Sequence, residues 1–238
     1  MQESVTDINI RLGRLKGIGV WRQLYSRFLQ QLRPQSIAEF GAGDPAFLLS
    51  AEGVTRRVAL DVNPRLGDLY KDSGVEFFVY DFDRDAFPIQ KEMFDVAVCS
   101  DVFEHLLYPE HTLSNISGCL RSRGVLFSHV PNEFSLYRTA RVMFSRSGSV
   151  YFHPDAFEWN SPHLRRFTDK GYRTFLGLRF RYNLKISDLR YRLPARLVSQ
   201  LGLPVPFCLE GGPTYASTND GAKFSELREI KRMLRKTR

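Results

Sequence analysis

Nowhere in this chain of 238 residues do 18 apolar residues run together, and no charged segment leads into an apolar stretch with a small-residue cleavage site. The expectation is a cytoplasmic protein, neither secreted nor membrane-spanning. Cysteine is scarce. Cys99, Cys119 and Cys208 form no metal-ligand spacing and no even disulfide set, and the first two fall in runs that read as buried strand and helix, which fits a reducing compartment. Internal repeats and low-complexity linkers are also missing. With 43% hydrophobic residues the chain has ample material for one α/β core. We read residues 1–35 as an N-terminal helical extension, 36–221 as the main domain, and 222–238 as a basic C-terminal helix or tail.

Among what is present, residues 36–49, SIAEFGAGDPAFLL, stand out. A short β-type run ends in Glu39 and opens at once into Gly41-Ala42-Gly43 before a helix-like segment, the pattern of a nucleotide-binding turn. The next apolar run, RRVALDVNP, ends in Asp61, where a carboxylate can accept both hydroxyls of a ribose. VEFFVYDFD then delivers Asp81, and FDVAVCSDVFEHL carries four apolar residues into Ser100 and Asp101.

With these motifs the sequence resembles the class I S-adenosylmethionine (SAM) dependent methyltransferases, in particular the group that includes ubiquinone-biosynthesis O-methyltransferases and small-molecule and glycan methyltransferases. The resemblance spans about residues 36–180 in its order of strand-like and helix-like segments. It implies a Rossmann-like fold: a mostly parallel central sheet with an antiparallel edge strand and helices on both faces. It also implies SAM as cofactor, with Glu39, Gly41, Ala42 and Gly43 at its methionine end, Asp61 on the ribose, Asp81 facing the adenine amino group, and Ser100 where the fourth strand meets the cofactor. Pro45 stands where the family has a third glycine; proline is tolerated in a first helical turn and stiffens the loop. A nicotinamide-dependent dehydrogenase is the rival, because Gly41-x-Gly43-x-x-Ala46 satisfies the relaxed dinucleotide fingerprint. The absence of a Tyr-x-x-x-Lys pair, and the acid at position 39, weigh against it.

Other elements follow from periodicity. Residues 18–33 place Trp21, Leu24, Tyr25, Phe28, Leu29 and Leu32 on one helical stripe, ending before Pro34, which reads as a helix packed on the core or folded over the cofactor. Helices are predicted over 109–120, 134–146 and 168–178, a fifth strand in GVLFSHVPN, a polar and aromatic loop over 147–163, and the last two strands in FRYNLKISDL and PTYASTND.

Methyl transfer to a hydroxyl needs a base, and histidine is the usual one. His163 in SPHLRRFT and His129 at the exit of the fifth strand are the catalytic candidates; His111 and His153 have weaker cases. Asp101, Glu104 and His105, at i, i+3 and i+4, resemble the Glu-x-x-Glu-His magnesium site of ubiquinone and small-RNA 3′-end methyltransferases, and Phe157-Glu158-Trp159 is similar to a stretch of the latter. The alternative is a helix-start carboxylate with packing neighbours.

Charge falls in blocks. Residues 36–110 hold 6 Lys/Arg against 15 Asp/Glu, while residues 121–196 hold 15 against 5. An acidic cofactor half suits a sulfonium cation, and a basic half suits an anionic acceptor, with Arg165 and Arg166 beside His163 as contacts. RNA and anionic lipid are the other partners that such charge admits. The tail AKFSELREIKRMLRKTR, 7 basic residues against 2 acidic, reads as a solvated helix. The expected activity is O-methylation of a small-molecule or glycan acceptor. RNA 2′-O-methylation and a catalytically silent binding module are the alternatives.

Overall fold

A parallel sheet covered by helices on both faces must be apolar on both, and the central runs of this chain are buried at almost every position. In the computed structural model, which describes residues 19–144, 163–190, 193–201, 203 and 205–236, these runs form the strands β1 (Ser36–Phe40), β2 (Arg56–Asp61), β3 (Val75–Val79), β4 (Phe94–Ser100), β5 (Leu120–His129), β6 (Tyr182–Lys185) and β7 (Thr214–Thr218). The helices are α1 (Val20–Leu32), α2 (Ala46–Leu49), α3 (Leu66–Tyr70), α4 (Pro109–Cys119), α5 (Leu136–Phe144), α6 (Asp169–Leu176), α7 (Leu193–Gln200) and α8 (Gly221–Lys236).

The strands lie in the order β3-β2-β1-β4-β5-β7-β6. The first five run parallel, and β7 pairs antiparallel with both β5 and β6. The antiparallel pairing expected at one edge is therefore confined to that end of the sheet, with β7 one place in from the margin. This order also disposes of the dehydrogenase alternative, whose sheet runs 3-2-1-4-5-6.

Alternate residues of each strand feed opposite layers. Ile37, Ala59, Val98 and Phe127 pack under α1, α2, α3 and α8, while Ala38, Leu60, Cys99 and Leu126 pack under α4 and α6. Helix α1 covers the stretch expected from its stripe: Leu24, Tyr25 and Phe28 are fully buried. It stops at Arg33, whose left-handed backbone lets its N–H reach the Leu29 carbonyl at 2.8 Å. Burial pushes the Cys119 thiol up to about 12, and Cys99 rises as well, so both behave as small apolar residues.

The basic C-terminal stretch differs from the solvated helix expected of it. Leu227, Ile230 and Leu234, at i, i+3 and i+7, are buried in the same cluster as Leu24 and Phe28 of α1, while Arg228, Arg232, Arg235 and Lys236 are exposed. Lys231 and Arg235 both pair with Asp188. A charge-rich sequence concealed a three-residue apolar stripe. Leu227→Ala should accordingly cost about 2–5 kcal/mol in a denaturant titration, the range for a truncated core leucine; a loss below ~0.5 kcal/mol would return α8 to the status of a tail.

Candidate active site

The sheet reverses its winding between β1 and β4, and in open α/β sheets ligands bind beyond the carboxyl ends of the strands at such a switch point. The pairing register aligns those ends. Phe40 lies opposite Leu60 and Cys99, Asp61 opposite Val79, and Ser100 opposite His129. Five strands thus deliver Glu39, Asp61, Asp81, Ser100 and His129 to one rim, as their spacing predicted.

The turn after β1 is tied to β2. Gly41 and Ala42 both donate to the Leu60 carbonyl, at 2.8 and 3.2 Å, and the Gly43 N–H donates to Asp61 Oδ2 at 3.1 Å. Asp61 Oδ1 accepts from the Asn63 N–H at 2.9 Å. Gly41 is left-handed at φ 71, and a Cβ there would meet Val102 Cγ2 at 2.3 Å, so glycine is required at this position by the protein itself. At Gly43, also left-handed at φ 41, a Cβ would meet only the Gly41 carbonyl oxygen at 4.0 Å, an ordinary contact, so the side chain's absence is required by the backbone conformation more than by crowding. The helix that follows is one turn long, with Pro45 immediately before it and Asp44 Oδ1 accepting from the Ala46 N–H at 2.9 Å. Burial raises the Asp61 carboxyl above the usual range, against the hydrogen bonds from Asn63 and Gly43.

Helix α1 supplies three side chains to this rim that its apolar stripe concealed. Arg22 Nε lies 2.5 Å from Glu39 Oε1, and Arg22 Nη2 donates to the Gly41 carbonyl at 3.3 Å. One turn on, the Tyr25 hydroxyl is 3.1 Å from Ser100 Oγ. Trp21 stacks on His129 with ring centroids 4.8 Å apart. The sequence reading of a helix packed on the core or folded over the cofactor placed Trp21 and Tyr25 on its apolar stripe and passed over Arg22, whose position beside that stripe was the available signal. Glu39 is fully buried and carries the consequence: burial pushes its carboxyl from about 4.5 up to about 7, Arg22 opposing and Asp61 and Asp44 adding to the rise.

The exits of β4 and β5 carry the histidines. Asp101 has a left-handed backbone at φ 57, unusual for a residue other than glycine, and its side chain is 52% exposed. Its Oδ1 lies 2.9 Å from His129 Nδ1. Desolvation in the cleft would raise the Asp101 carboxyl, but His129, Arg22 and His105 together hold it below the ordinary range. His129 itself is buried: its Nε2 has no hydrogen-bond partner, and a Cβ on Gly212 would sit 2.2 Å from it. Residues 103–105 form a single 3-10 turn in place of the helix whose face was expected to carry Asp101, Glu104 and His105, and the ligand-capable atoms that converge there are those of Glu104, His105 and His163.

His163 takes that place. Glu104, His105 and His163 bring one ligand-capable atom each within 4.8 Å of one another. His163 Nδ1 is 2.7 Å from Glu133 Oε1, and the side-chain exposures are 30% and 6%. Sequence spacing had not suggested Glu133. The chain after His163 is strapped to the same loop: the Arg165 N–H donates to the Glu104 carbonyl at 3.0 Å, and Arg165 Nη2 donates to the Leu107 carbonyl at 2.7 Å. Arg165 therefore serves backbone acceptors, while Arg166 is exposed. Asp81 sits in a tight turn beyond β3, its Oδ1 accepting from the Asp83 N–H at 3.0 Å. His111 is an exposed residue of α4, and His153, with the aromatic loop Tyr151 to Trp159, lies outside the described residues.

Glu39 makes the site's electrostatics measurable. Folded protein holds a proton on it between pH 4.5 and about 7 that the unfolded chain releases, so stability from this group is present below 4.5 and is lost as the pH rises through about 7. Glu39→Gln should remove that slope. Denaturant titrations across the window are expected to show native protein losing stability relative to the variant by on the order of 1 kcal/mol per pH unit. Parallel pH profiles would contradict the assignment.

Comparison with known proteins now becomes informative. A family model described as methyltransferase domain matches residues 14–174, more than half of the chain. The methyltransferase solved in complex with the Haloferax volcanii activator Trm112 superposes with a TM-score of 0.58 at 17% identity, covering 92% of this chain and 99% of that one. A SAM-dependent methyltransferase of Thermotoga maritima gives a TM-score of 0.52 at 14% identity, covering 84% and 92%. A Burkholderia thailandensis 1,6-didemethyltoxoflavin N1-methyltransferase, solved with that compound and S-adenosylhomocysteine, gives 0.51 at 18% identity, covering 84% and 79%. Comparison with curated proteins finds no match. The matched family and the shared fold agree with the rim of turn, acids and histidines: the chain belongs to the methyltransferase-domain family and is a SAM-dependent methyltransferase of Rossmann-like architecture.

Proposed function

We propose that this enzyme methylates an oxygen of a small-molecule or glycan acceptor, with His163 as the base. The observation that carries the proposal is the His163–Glu133 pair: a half-buried imidazole anchored at one ring nitrogen by an almost fully buried carboxylate. Such anchoring fixes the ring's orientation and leaves the other nitrogen to take a proton. SAM supplies an electrophilic methyl group on a sulfonium centre. The residues present fit it. The Gly43 position is uncrowded, with no neighbour of a built Cβ nearer than the Gly41 carbonyl oxygen at 4.0 Å, Glu39 Oε2 is buried without a hydrogen-bond partner, and Asp61 keeps acceptor capacity beside the turn for ribose hydroxyls. Asp81 and Ser100 complete this reading at the adenine and at the fourth strand.

His129 takes a different part in this proposal from the one its sequence position suggests. Buried between Trp21 and Gly212 and bonded to Asp101, it holds that carboxylate toward the cleft and does not meet the acceptor. The acceptor side is the basic half of the chain, where Arg166 is exposed next to the His163 strap, so an anionic acceptor is the one the charge favours.

A second reading has an observation of its own. Because Glu104, His105 and His163 converge within 4.8 Å, the same atoms suit a divalent cation that would bind the acceptor oxygen and lower its pKa. The outcomes differ. If His163 is a base, His163→Ala lowers turnover by ~10²–10⁴ while affinity for S-adenosylhomocysteine is intact, and chelators leave the wild type unaffected. If it is a ligand, chelation abolishes turnover and a divalent cation restores it. Normal turnover in the variant would remove His163 from the chemistry.

Asp61→Ala should weaken S-adenosylhomocysteine binding by about 1.5–3 kcal/mol, the range for hydrogen bonds to a charged group. Calorimetry showing unchanged affinity would reject Asp61 as the ribose acid.

A further inference from the structure

Large apolar side chains left in water normally lie scattered over a protein surface, and a grouping of them marks a contact that the isolated chain does not make. Sixteen are exposed among the described residues, and ten of these fall in the short stretches 107–108, 134–144, 164 and 197–203. Helix α5 carries the densest part. Leu136, Ala140, Met143 and Phe144 stand at i, i+4, i+7 and i+8, which is one helical stripe, and all four are exposed, Met143 at 72% and Phe144 at 80%. A helix of a folded domain ordinarily turns such a stripe inward; this one turns it to solvent. In the turn after α7, Leu201 and Leu203 are exposed although their N–H groups donate to the Leu197 and Val198 carbonyls at 3.2 and 3.3 Å, so an ordered backbone presents them. Leu197, one helical turn before Leu201, is exposed on the same side.

These stretches belong to one face, and that face borders His163. Helix α5 lies against the 3-10 turn Phe207–Leu209, which follows Leu203, and Asn132 Nδ2 donates to the Glu210 carbonyl at 3.2 Å. In the same loop Glu133 holds His163, with exposed Phe134 next to the acid and exposed Leu164 next to the imidazole. Arg165 ties Leu107 alongside. The charge here selects the occupant. Arg165, Arg166, Lys170 and Arg196 are exposed, and residues 121–196 hold 15 Lys/Arg against 5 Asp/Glu. A second copy of the chain would set this positive field against itself. An anionic bilayer satisfies both features at once, since headgroup phosphates attract the basic side chains while leucine, methionine and phenylalanine enter the acyl boundary. With 9 residues α5 is far too short to span, and no helix among the described residues is long and apolar enough to cross a membrane, so the contact lies in the plane of the interface.

We propose that this face docks on an anionic membrane, with the stripe of α5 and the leucine turn after α7 as its apolar anchors, so that the mouth beside His163 opens at the lipid surface. The contact depends on the exposed side chains and their charge, and it stands whether His163 acts as a base or as a metal ligand.

The test is co-sedimentation of the full chain with two kinds of vesicle, phosphatidylcholine alone and phosphatidylcholine mixed with phosphatidylglycerol at about 3:1. Wild-type protein should partition onto the anionic vesicles at least about 10-fold more strongly than onto the neutral ones. Met143→Ser/Phe144→Ser and, on the other anchor, Leu201→Ser/Leu203→Ser should each weaken that binding by about 10-fold, and Arg196→Glu should weaken it by a few-fold. The two apolar pairs lie on separate elements, so misfolding of one variant leaves the other to be read. Met233→Ser, which removes an exposed apolar side chain from α8, should change nothing. Affinity for S-adenosylhomocysteine, measured by calorimetry without lipid, should stay within about 2-fold in every variant, because none of these side chains belongs to the cofactor rim. Wild-type protein that stays in the supernatant with anionic vesicles would overturn the proposal. So would binding that both apolar pairs leave unchanged, or that about 0.5 M salt abolishes, because the basic residues alone would then hold the lipid. A dimer in sedimentation velocity that the Met143/Phe144 variant dissolves would assign the face to a second copy and overturn it as well.

Discussion

A carboxylate with no exposure, placed one residue from the end of a central parallel strand, has to be neutralised from outside the sheet. Glu39 is that group, and Arg22 is the answer. A buried ion pair contributes little net stability against an apolar alternative, but breaking one partner is costly, so the pair acts mainly to specify position. Here it specifies where α1 sits. Once Arg22 is held over β1, the helical repeat carries Tyr25 to Ser100 on β4, and the adjacent Trp21 to His129 on β5. One helix thereby touches three strands at the rim, and its lower face supplies Leu24 and Phe28 to the core.

The acceptor side is organised by different means. The β4 exit is not a regular helix but a left-handed residue followed by a 3-10 turn, which turns Asp101 toward His129 and Glu104 with His105 toward the segment at 163. The strap formed by Arg165 holds that segment by backbone and side-chain hydrogen bonds, so His163 reaches the site although 58 residues of sequence separate it from His105. Two imidazole–carboxylate pairs result, and their burial separates them. The pair at His129 is closed by Trp21 and Gly212, whereas the pair at His163 keeps the imidazole partly open and buries the acid.

The sulfonium cofactor and the polarity of the chain are also related. Acids from β1, β2 and the β4 exit crowd one rim, and Arg22 enters among them. Burial raises Glu39 and Asp61, while His129, Arg22 and His105 lower Asp101, so neighbouring carboxyls on one edge differ in their readiness to ionise. A cationic ligand entering that rim finds negative potential that the protein's own arginine only partly cancels.

The glycine turn, the acids at the strand ends and the parallel sheet were legible in sequence because they are local. An apolar run of strand length followed by an acid reports its own end, and the parallel register places all such ends on one side. Gly41 was legible too, though for a reason the structure revises: its φ and the Val102 side chain exclude a Cβ there. Arg22, Glu133, the pairing of Asp101 with His129 and the approach of His163 to Glu104 were not legible, since each depends on contacts between segments far apart in the chain. The C-terminal helix shows the same limit, its three buried residues hidden among charges that determine composition but not which face packs. Sequence alone determined the sheet and its edge of acids, because backbone periodicity and strand ends are properties of short segments, and the class of cofactor followed from the family resemblance that those motifs carry. Which cation pairs with Glu39, and which histidine stays partly exposed, was decided only by the tertiary structure, because a side chain's burial and partners depend on what the rest of the chain brings against it.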